Sequence, residues 1–291
     1  MTTEKKTGSL KTQRLVSDII VHTILAIMAV IWITPLVWLV LISFRGEAGN
    51  NVTTFIPATF TLNNYIKLFT ETTVINFPRM FMNTLFISVC SCCISTFFVL
   101  AVSFALSRLR WRMRKTYMNM AMVITLFPGF MSMMAVYFLL KAMGLTEGNM
   151  IPLALIINFC SGAGVGFHVM KGYMDTIPFA LDEAGMLDGA TRWQVFIKII
   201  LPLCKPMIVY QVITSFLGPW VDFIFAKMIC RTSTQYYTVS VGLYTMLEKE
   251  YVFQWFNSFA AGAVLISIPI SILFIAMQNC YQEAMGGAVK G

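Results

Sequence analysis

The side chains best suited to metal binding or nucleophilic chemistry are three clustered cysteines and two histidines. Cys90, Cys92 and Cys93 lie in an apolar stretch, and the histidines are His22 and His168. On a helix only Cys90 and Cys93 would share a face, whereas structural zinc sites need four ligands. Each histidine lies near the end of an apolar block, where a half-solvated imidazole is common. We therefore expect cysteines that pack between helices, with no metal site and no catalytic residue.

Motifs for ATP hydrolysis, proteolysis and ester hydrolysis are missing from the sequence. It has no GxxxxGK[ST] phosphate loop, no HExxH and no GxSxG. Asp222 is the single acidic residue within an apolar block, and proton- or sodium-driven transporters usually carry more charge inside the membrane. The sequence predicts neither an enzyme nor a bound cofactor. It also argues against two alternatives, a stand-alone secondary transporter and a non-transport membrane protein such as a protease or assembly factor.

Residues 171–205 form the most informative polar segment, because 35 residues are far more than two helices need for a connection. Pro178 suits the first position of a helix, where its missing N–H costs little. Asp182 and Glu183 would lie early in that helix and favour its dipole. Gly189 then predicts its end, since glycine is common just after the last turn. This spacing predicts a short helix of its own over about Pro178–Asp188.

The same helix would present small residues that allow a partner surface to approach closely. Leu181, Ala184 and Asp188 recur at i, i+3 and i+7, and Gly185 lies beside them. A second amphipathic helix is expected over about 190–200, ending at the Leu-Pro pair that follows. The pattern favours a docking element on a glycine hinge.

The segment resembles the EAA loop of ABC-importer permeases, whose pattern is E-A-A, three residues, G, nine residues and I-x-L-P. Glu183-Ala184-Gly185 is followed by three residues and Gly189, and nine residues later by Ile-Ile-Leu-Pro at 199–202. Every spacing agrees. The one departure is Gly185 in place of the usual alanine, which would make an exposed helix less rigid by about 1 kcal/mol.

Other stretches resemble the carbohydrate-uptake branch of these permeases, and the maltose/maltodextrin type in particular. They are residues 188–203, the Gly-Pro-Trp-Val-Asp-Phe run at 218–223, and the tail at 284–291. Permeases for another sugar or for a glycerol-phosphate-type solute remain alternatives within the family. The tail is either flexible, because of its three glycines, or, as the resemblance implies, lies along the interface of an ATPase pair.

The resemblance implies a set of partners. A second permease subunit would complete the pathway as a heterodimer, two ATPase subunits would bind ATP and Mg²⁺, and an extracytoplasmic sugar-binding protein would deliver substrate. The implied location is the bacterial cytoplasmic membrane. The residues that the resemblance assigns to ATPase coupling are Leu181, Glu183, Ala184, Gly185, Asp188 and Gly189.

The composition is that of a membrane protein. Hydrophobic residues make up 58% of the 291 residues, only 12% are charged, and the mean hydropathy is +0.75. Six apolar blocks are each long enough for about 20 residues to cross a bilayer as a helix. The fold class is therefore all-α with six transmembrane helices, in a permease domain over 19–281 between a segment 1–18 and a tail 282–291. The predicted spans are 19–44, 81–106, 117–140, 151–170, 206–226 and 259–281.

The distribution of lysine and arginine predicts the orientation. The N-terminal segment, residues 107–116, the 171–205 loop and the tail together carry 14 of the 21 basic residues. Because basic residues concentrate on the cytoplasmic side, both termini are expected there. This bias, together with anionic lipid, also accounts for the net charge of +8 and indicates no nucleic-acid partner.

The substrate pathway is only weakly marked. Pro128-Gly129 is expected to kink the third span and Gly218-Pro219 the fifth, and such kinks often line cavities. Aromatic faces and polar groups suit sugars, although ordinary helix packing is the alternative for each. The candidate pathway residues are Phe127, Phe130, Tyr137, Asn158, Trp220 and Asp222.

Two outer segments, 45–80 and 227–258, are candidate contacts for a binding protein. The second contains Tyr236, Tyr237, Tyr251 and Trp255, which could equally form an aromatic belt at the membrane interface.

Overall fold

The computed structural model describes residues 10–162 and 166–288, and in these ranges the chain is helical. No β-strand occurs in them beyond a single isolated bridge between Arg45 and Phe60. The predicted all-α fold class is confirmed. The tail from Val289 onward lies outside the described residues, as do residues 1–9 of the N-terminal segment 1–18.

Thirteen helices, numbered along the described chain, make up the structure. They are α1 Leu10–Ser43, α2 Asn63–Thr70, α3 Phe77–Arg108, α4 Arg114–Thr125, α5 Gly129–Ala142, α6 Ile151–Ser161, α7 Phe167–Thr176, α8 Phe179–Leu187, α9 Arg192–Leu203, α10 Lys205–Val221, α11 Ile224–Cys230, α12 Val239–Met246 and α13 Val252–Ala288.

The central element is α3, which packs against α6, α7, α10 and α12. One side of it carries small polar residues, and small residues let helices approach closely inside a membrane. The Ser103 hydroxyl donates to the backbone oxygen of Phe167 in α7, and the Thr84 hydroxyl accepts the backbone N–H of Val239 in α12. The buried polar residues of this row are Thr84, Ser88, Ser91, Ser95, Ser103 and Ser107.

Two cysteines join the same seam, as the sequence predicts for helix packing. The Cys92 thiol donates to the backbone oxygen of Val212 in α10, and the Cys160 thiol of α6 donates to that of Ser91. Six cysteines are free, namely Cys90, Cys92, Cys93, Cys160, Cys204 and Cys230, and no group of three or more His, Cys, Asp or Glu among the described residues could hold a metal.

Three helices are long and apolar enough to cross a bilayer by themselves, namely those within 14–43, 77–108 and 252–278. Two bent pairs raise the number to five if each pair is one span, and the shorter apolar helix over 148–161 corresponds to the predicted fourth span. The exact number of six therefore stays a prediction.

The kink expected at Pro128-Gly129 is confirmed, because α4 and α5 meet there at 105°. The chain has no break at Gly218-Pro219, and the kink expected there stays a prediction. Helix α10 continues through Pro219 to Val221, and the chain is extended only at Asp222, after which α11 starts. The sharp bend of this span lies at its other end, at Cys204, where α9 and α10 meet at 81°.

At the other end of the molecule from α8, a polar cluster fixes the chain that leaves α1. Arg45 forms an ion pair with Glu47 at 2.9 Å and is itself buried. The Asn257 amide of α13 donates to the backbone oxygens of both residues, and the Asn64 amide donates to that of Arg45. The outer segment is therefore held to α2 and α13 by backbone contacts.

Gly242 tests how closely α12 and α3 pack. A Cβ at this position would lie 2.3 Å from the Met80 sulfur, so that Gly242→Val must displace Met80 from the core. Such overpacking costs about 1–3 kcal/mol. We expect a clearly lower temperature at which half of the detergent-solubilised protein remains monodisperse. Gly172→Val is the matched control, because no atom lies within 4 Å of its Cβ; equal loss in both variants would contradict the packing.

Candidate functional site

Helix α8 forms within the polar loop as the sequence predicts, one residue shorter at each end. Pro178 is the residue before the helix rather than its first position, because its ψ of 133° is extended. Gly189 ends the helix as predicted, with a φ of +84°. The N–H of Ala190 donates to the Gly185 oxygen and that of Gly189 to the Met186 oxygen, which is a Schellman motif.

The second loop helix, α9, starts at a capping box. The Thr191 hydroxyl accepts the N–H of Gln194, and the Gln194 side chain accepts the N–H of Thr191. The helix contains a π-helical segment over Val195–Ile200. It continues to Leu203, past the end expected at the Leu-Pro pair. Proline is tolerated there because it lies in the first α-helical turn after the π-helical segment.

Gly185 faces α9 and not the solvent. It is buried, and a Cβ here would lie 2.6 Å from Ile199 Cδ1 and 3.5 Å from Val195 Cγ2. The glycine thus lets α8 and α9 approach each other. Its departure from the usual alanine concerns packing inside the loop rather than the exposed surface.

Outside its contact with α9, helix α8 exposes several apolar side chains, of which Phe179 and Met186 border Arg108. Leu187 is 88% exposed, and Phe179, Leu181 and Met186 are between 41% and 49% exposed. Nearby Trp193 of α9 is also exposed. Of the sequence-predicted coupling residues, Leu181, Glu183, Ala184, Asp188 and Gly189 are exposed on this element. An apolar surface on a protruding polar loop is typical of a protein–protein contact.

A buried ion pair joins α8 to the end of α3, and the sequence analysis did not foresee it. The Arg108 Nε atom lies 3.3 Å from Asp182 Oδ2, with side-chain exposures of only 2% and 9%. Arg108 also donates from Nη2 to the backbone oxygens of Met174 and Ile177 at the end of α7. Its guanidinium carbon lies 4.4 Å from the centre of the Phe179 ring. Burial raises the pKa of the Asp182 carboxyl, and the Arg108 charge opposes this shift.

A second acidic residue ties α7 to the same end of α3. The Asp175 carboxylate accepts a hydrogen bond from the Ser107 hydroxyl at 2.6 Å and one from the Lys171 ammonium. Burial raises the pKa of Asp175, but these two hydrogen bonds and the charges of Lys171 and Arg114 together hold the pKa below its usual value. The end of α3 therefore meets two carboxylates, one from α7 and one from α8.

The six candidate pathway residues fall into different environments. Phe127 and Phe130 flank the break between α4 and α5 and are well exposed. Tyr137 and Asn158 are half-buried. Trp220 lies in the core, with ring centres 5.3 Å from Phe81 and 5.9 Å from Phe216, so its ring does not face an open surface.

Asp222 fills a structural position at the break between α10 and α11. Its carboxylate accepts the N–H of Ala226, and its backbone oxygen accepts the Ser240 hydroxyl. The carboxylate thereby supplies a partner for the first turn of α11, which a helix that starts inside a membrane needs.

Two of the four outer aromatic residues are core residues. Trp255 is fully buried beneath the Lys67 ammonium, and Tyr237 is buried, with its hydroxyl donating to the Arg231 oxygen. Tyr236 and Tyr251 are half-buried. The expectation of four exposed contact aromatics is therefore wrong for Tyr237 and Trp255, because Lys227 and Arg231 enclose the Tyr237 hydroxyl and α2 covers Trp255 through Lys67.

A family model, described as binding-protein-dependent transport system inner membrane component, matches residues 98–286. The galactooligosaccharides transport system permease protein GanQ of Bacillus subtilis is 32% identical over 286 residues, covering 98% of this chain and 99% of that protein. The maltodextrin transport system permease protein MalD of Streptococcus pneumoniae is 30% identical, with the same coverage of both chains.

A solved structure shares the fold. A chain of a bacterial ABC transporter involved in the import of the acidic polysaccharide alginate superposes with a TM-score of 0.75 at 19% identity, covering 94% of this chain and 99% of that one.

Gly189 offers a test of how α8 is stopped. Because Gly189 has a positive φ, Gly189→Val should strain the turn by about 1–2 kcal/mol. The open population of the loop, and with it tryptic cleavage at the exposed Arg192, should rise about 5- to 30-fold in detergent. Gly189→Asn is the matched control, because asparagine tolerates this conformation. Equal cleavage of the two variants would contradict the left-handed turn.

Proposed function

The chain belongs to the family of binding-protein-dependent transport system inner membrane components, and we propose that it is one permease subunit of an ABC importer for oligosaccharides. The observation that carries this proposal is α8: a short helix with an exposed apolar surface, on the loop whose spacing matches the EAA pattern. Such a helix can bind in a groove on another protein, and the groove then contacts apolar side chains at positions i, i+3 and i+4 of the helix.

The proposed partner at α8 is a separate ATPase subunit, which would bind ATP and Mg²⁺. Glu183 and Leu181 would contact it directly, whereas Gly185 would act indirectly by holding α8 against α9. The loop is then cytoplasmic, and so are both chain termini, in agreement with the excess of basic residues on that side.

A second permease subunit is proposed to pack against α1. Over its most apolar stretch this helix is entirely unburied, and only its last turns, from Trp38 to Ser43, contain residues that are partly or fully buried against the rest of the chain. Without a partner packed against it, α1 cannot form a wall of the transport pathway. The proposal is a heterodimer, in which this chain forms half of the route across the membrane.

The sugar-binding protein is proposed to dock at the outer face. The chain between α1 and α2 exposes Phe55, Ile56 and Phe60 there, on backbone that Arg45 and Asn257 hold in place. A related solved structure shows an alginate ABC transporter in complex with a periplasmic protein bound to an alginate pentasaccharide. A fixed apolar surface of this kind suits a transient protein contact.

The transport step would be a change of access between the two sides, driven by closure of the ATPase pair. Movement of α8 would be passed to α9 and, at the 81° bend, to α10. The 105° break between α4 and α5 gives a second place at which a span can change direction. Such hinge movements at helix ends are a common basis of gating.

Two substrate candidates follow from the relatives. Maltodextrin is named for MalD, and galactooligosaccharides are named for GanQ, at similar identity and coverage. Both are uncharged oligosaccharides, for which aromatic faces such as Phe127 and Phe130 are suitable contacts.

The deciding experiment is purification of the chain from solubilised membranes. We expect a second permease and two ATPase copies to co-purify, and the cognate binding protein loaded with maltodextrin or galactooligosaccharide to stimulate ATP hydrolysis. The sugar that stimulates identifies the substrate. A monodisperse chain that transports in vesicles without any ATPase would overturn the proposal in favour of a secondary transporter.

Glu183→Lys tests the docking surface. Reversing a charge in a contact that becomes partly desolvated costs several kcal/mol, so sugar uptake should fall by about tenfold or more. The second permease should still co-purify, since Glu183 is exposed and bonds to nothing within the described chain. Glu147→Lys, the same change at an exposed site outside the loop, is the control. Uptake of the Glu183 variant at the level of this control would remove α8 from the ATPase contact.

A further inference from the structure

Helix α8 must transmit force to the membrane helices if it couples an ATPase to transport, and its connections show where. It contacts α9 through an apolar packing of Gly185 against Val195 and Ile199. Among the described residues, Asp182 is the only α8 side chain with an ion pair to another helix, and its partner is Arg108. The second connection is thus a charged one, and it ends on α3.

The Arg108 side chain is positioned to act as a junction. It is the last residue of α3, the helix that packs against α6, α7, α10 and α12. Its Nη2 atom is held by two backbone oxygens of α7, at 2.9 Å from Met174 and 2.8 Å from Ile177. The guanidinium is therefore fixed to the membrane helices on one side and meets α8 on the other.

Two contacts of Arg108 fall on α8, one helical turn apart. Phe179 lies under the guanidinium at 4.4 Å, and Asp182 lies beside its Nε at 3.3 Å. Positions i and i+3 share one face of a helix, so both contacts address the same side of α8. An ion pair between buried charges resists separation more than apolar packing does, because separation would leave each charge unpaired away from water.

The ion pair also has unused hydrogen-bonding capacity. Arg108 Nε and Nη1 and Asp182 Oδ1 are buried and have no hydrogen-bond partner, so the 3.3 Å contact between Nε and Oδ2 is an ion pair without a hydrogen bond. They border a small cleft of about 80 Å³ lined also by Phe104, Met186 and Arg192. A charge-assisted hydrogen bond from Nε to the Asp182 carboxylate would make this contact stronger and more directional, and it does not need Nη2. A small movement of α8 could close the pair without breaking the bonds of Arg108 to α7.

We propose that Arg108 is a positioning residue that converts movement of α8 into movement of α3, through its buried pair with Asp182. This inference rests on the proposed ATPase coupling and adds the route by which the coupling reaches the helix core. The ion pair tightens as α8 is pushed, and α3 then moves together with α6, α7 and α10. The residue binds neither sugar nor ATP.

The test uses Asp182→Asn in the complete importer reconstituted in vesicles with its binding protein and sugar. Asparagine keeps the size of the side chain but removes the charge, and Arg108 keeps its two carbonyl partners. The measured quantity is sugar transported per ATP hydrolysed. We expect it to fall about tenfold, within the 5- to 150-fold range typical of coupling between distant sites, while the ATPase subunits stay bound.

Asp175→Asn is the matched control, because Asp175 is also ion-paired beside the end of α3 but bonds to Lys171 of α7 and Ser107 of α3, and not to α8. Its transport per ATP should equal that of the unmodified complex. Asp182→Glu, which keeps the charge, should restore most of the ratio lost in Asp182→Asn.

Two results would overturn the inference. One is an unchanged transport ratio in Asp182→Asn while the unmodified complex works, which leaves the proposed function intact. The other is loss of the ATPase subunits from Asp182→Asn alone, because the pair would then serve assembly only. Absence of sugar-stimulated hydrolysis in the unmodified complex would instead count against the proposed function itself.

Discussion

The fold depends on the close approach of four helices to α3, which small polar side chains make possible. Inside a membrane, apolar surface alone does not drive helices together, so close packing and hydrogen bonds must do so. The side chains of α3 reach the backbone of α12 through Thr84 and that of α7 through Ser103. The Val239 contact falls at the start of α12, where backbone N–H groups have no partner within the helix. This one hydrogen bond therefore joins two helices and also gives a backbone N–H its partner.

The same seam leads to the loop. Toward the end of α3 its contacts change from neutral to charged. Ser103 donates to the backbone oxygen of Phe167, and Ser107 donates to the Asp175 carboxylate. Arg108 donates to the end of α7 and forms an ion pair with Asp182. The contacts become stronger and more directional as they leave the apolar region, since charge-assisted bonds are stronger than neutral ones. The loop helix is therefore attached to the most rigidly packed helix of the chain rather than only to its sequence neighbours.

Local signals were read correctly from the sequence, and long-range ones were not. The break at Pro128 and the end of α8 at Gly189 depend on backbone preferences of single residues, which are visible in any sequence. The burial of Trp255 depends on how α2 and α13 meet, and an aromatic residue in an outer segment fits a core as well as a surface. The Arg108–Asp182 pair joins residues 74 positions apart. Arg108 is the first of a run of basic residues, and such a run indicates membrane topology rather than an ion pair. Its position at the end of an apolar block is the one sign in the sequence of a buried partner.

A break within a membrane helix leaves backbone groups without helical partners. The way in which each break satisfies these groups indicates whether it can move. At Asp222 the carboxylate and backbone oxygen bond to Ala226 and Ser240, so this break is locked by hydrogen bonds. At the break after α4, Phe127 and Phe130 are exposed and Gly129 has open space around it. Irregular backbone is tolerated at membrane depth only against protein or a water-filled cavity. The break at Asp222 therefore serves as a fixed support for α11. The break after α4 needs a covering surface that the described residues do not supply. A pathway formed between two permease subunits would provide one.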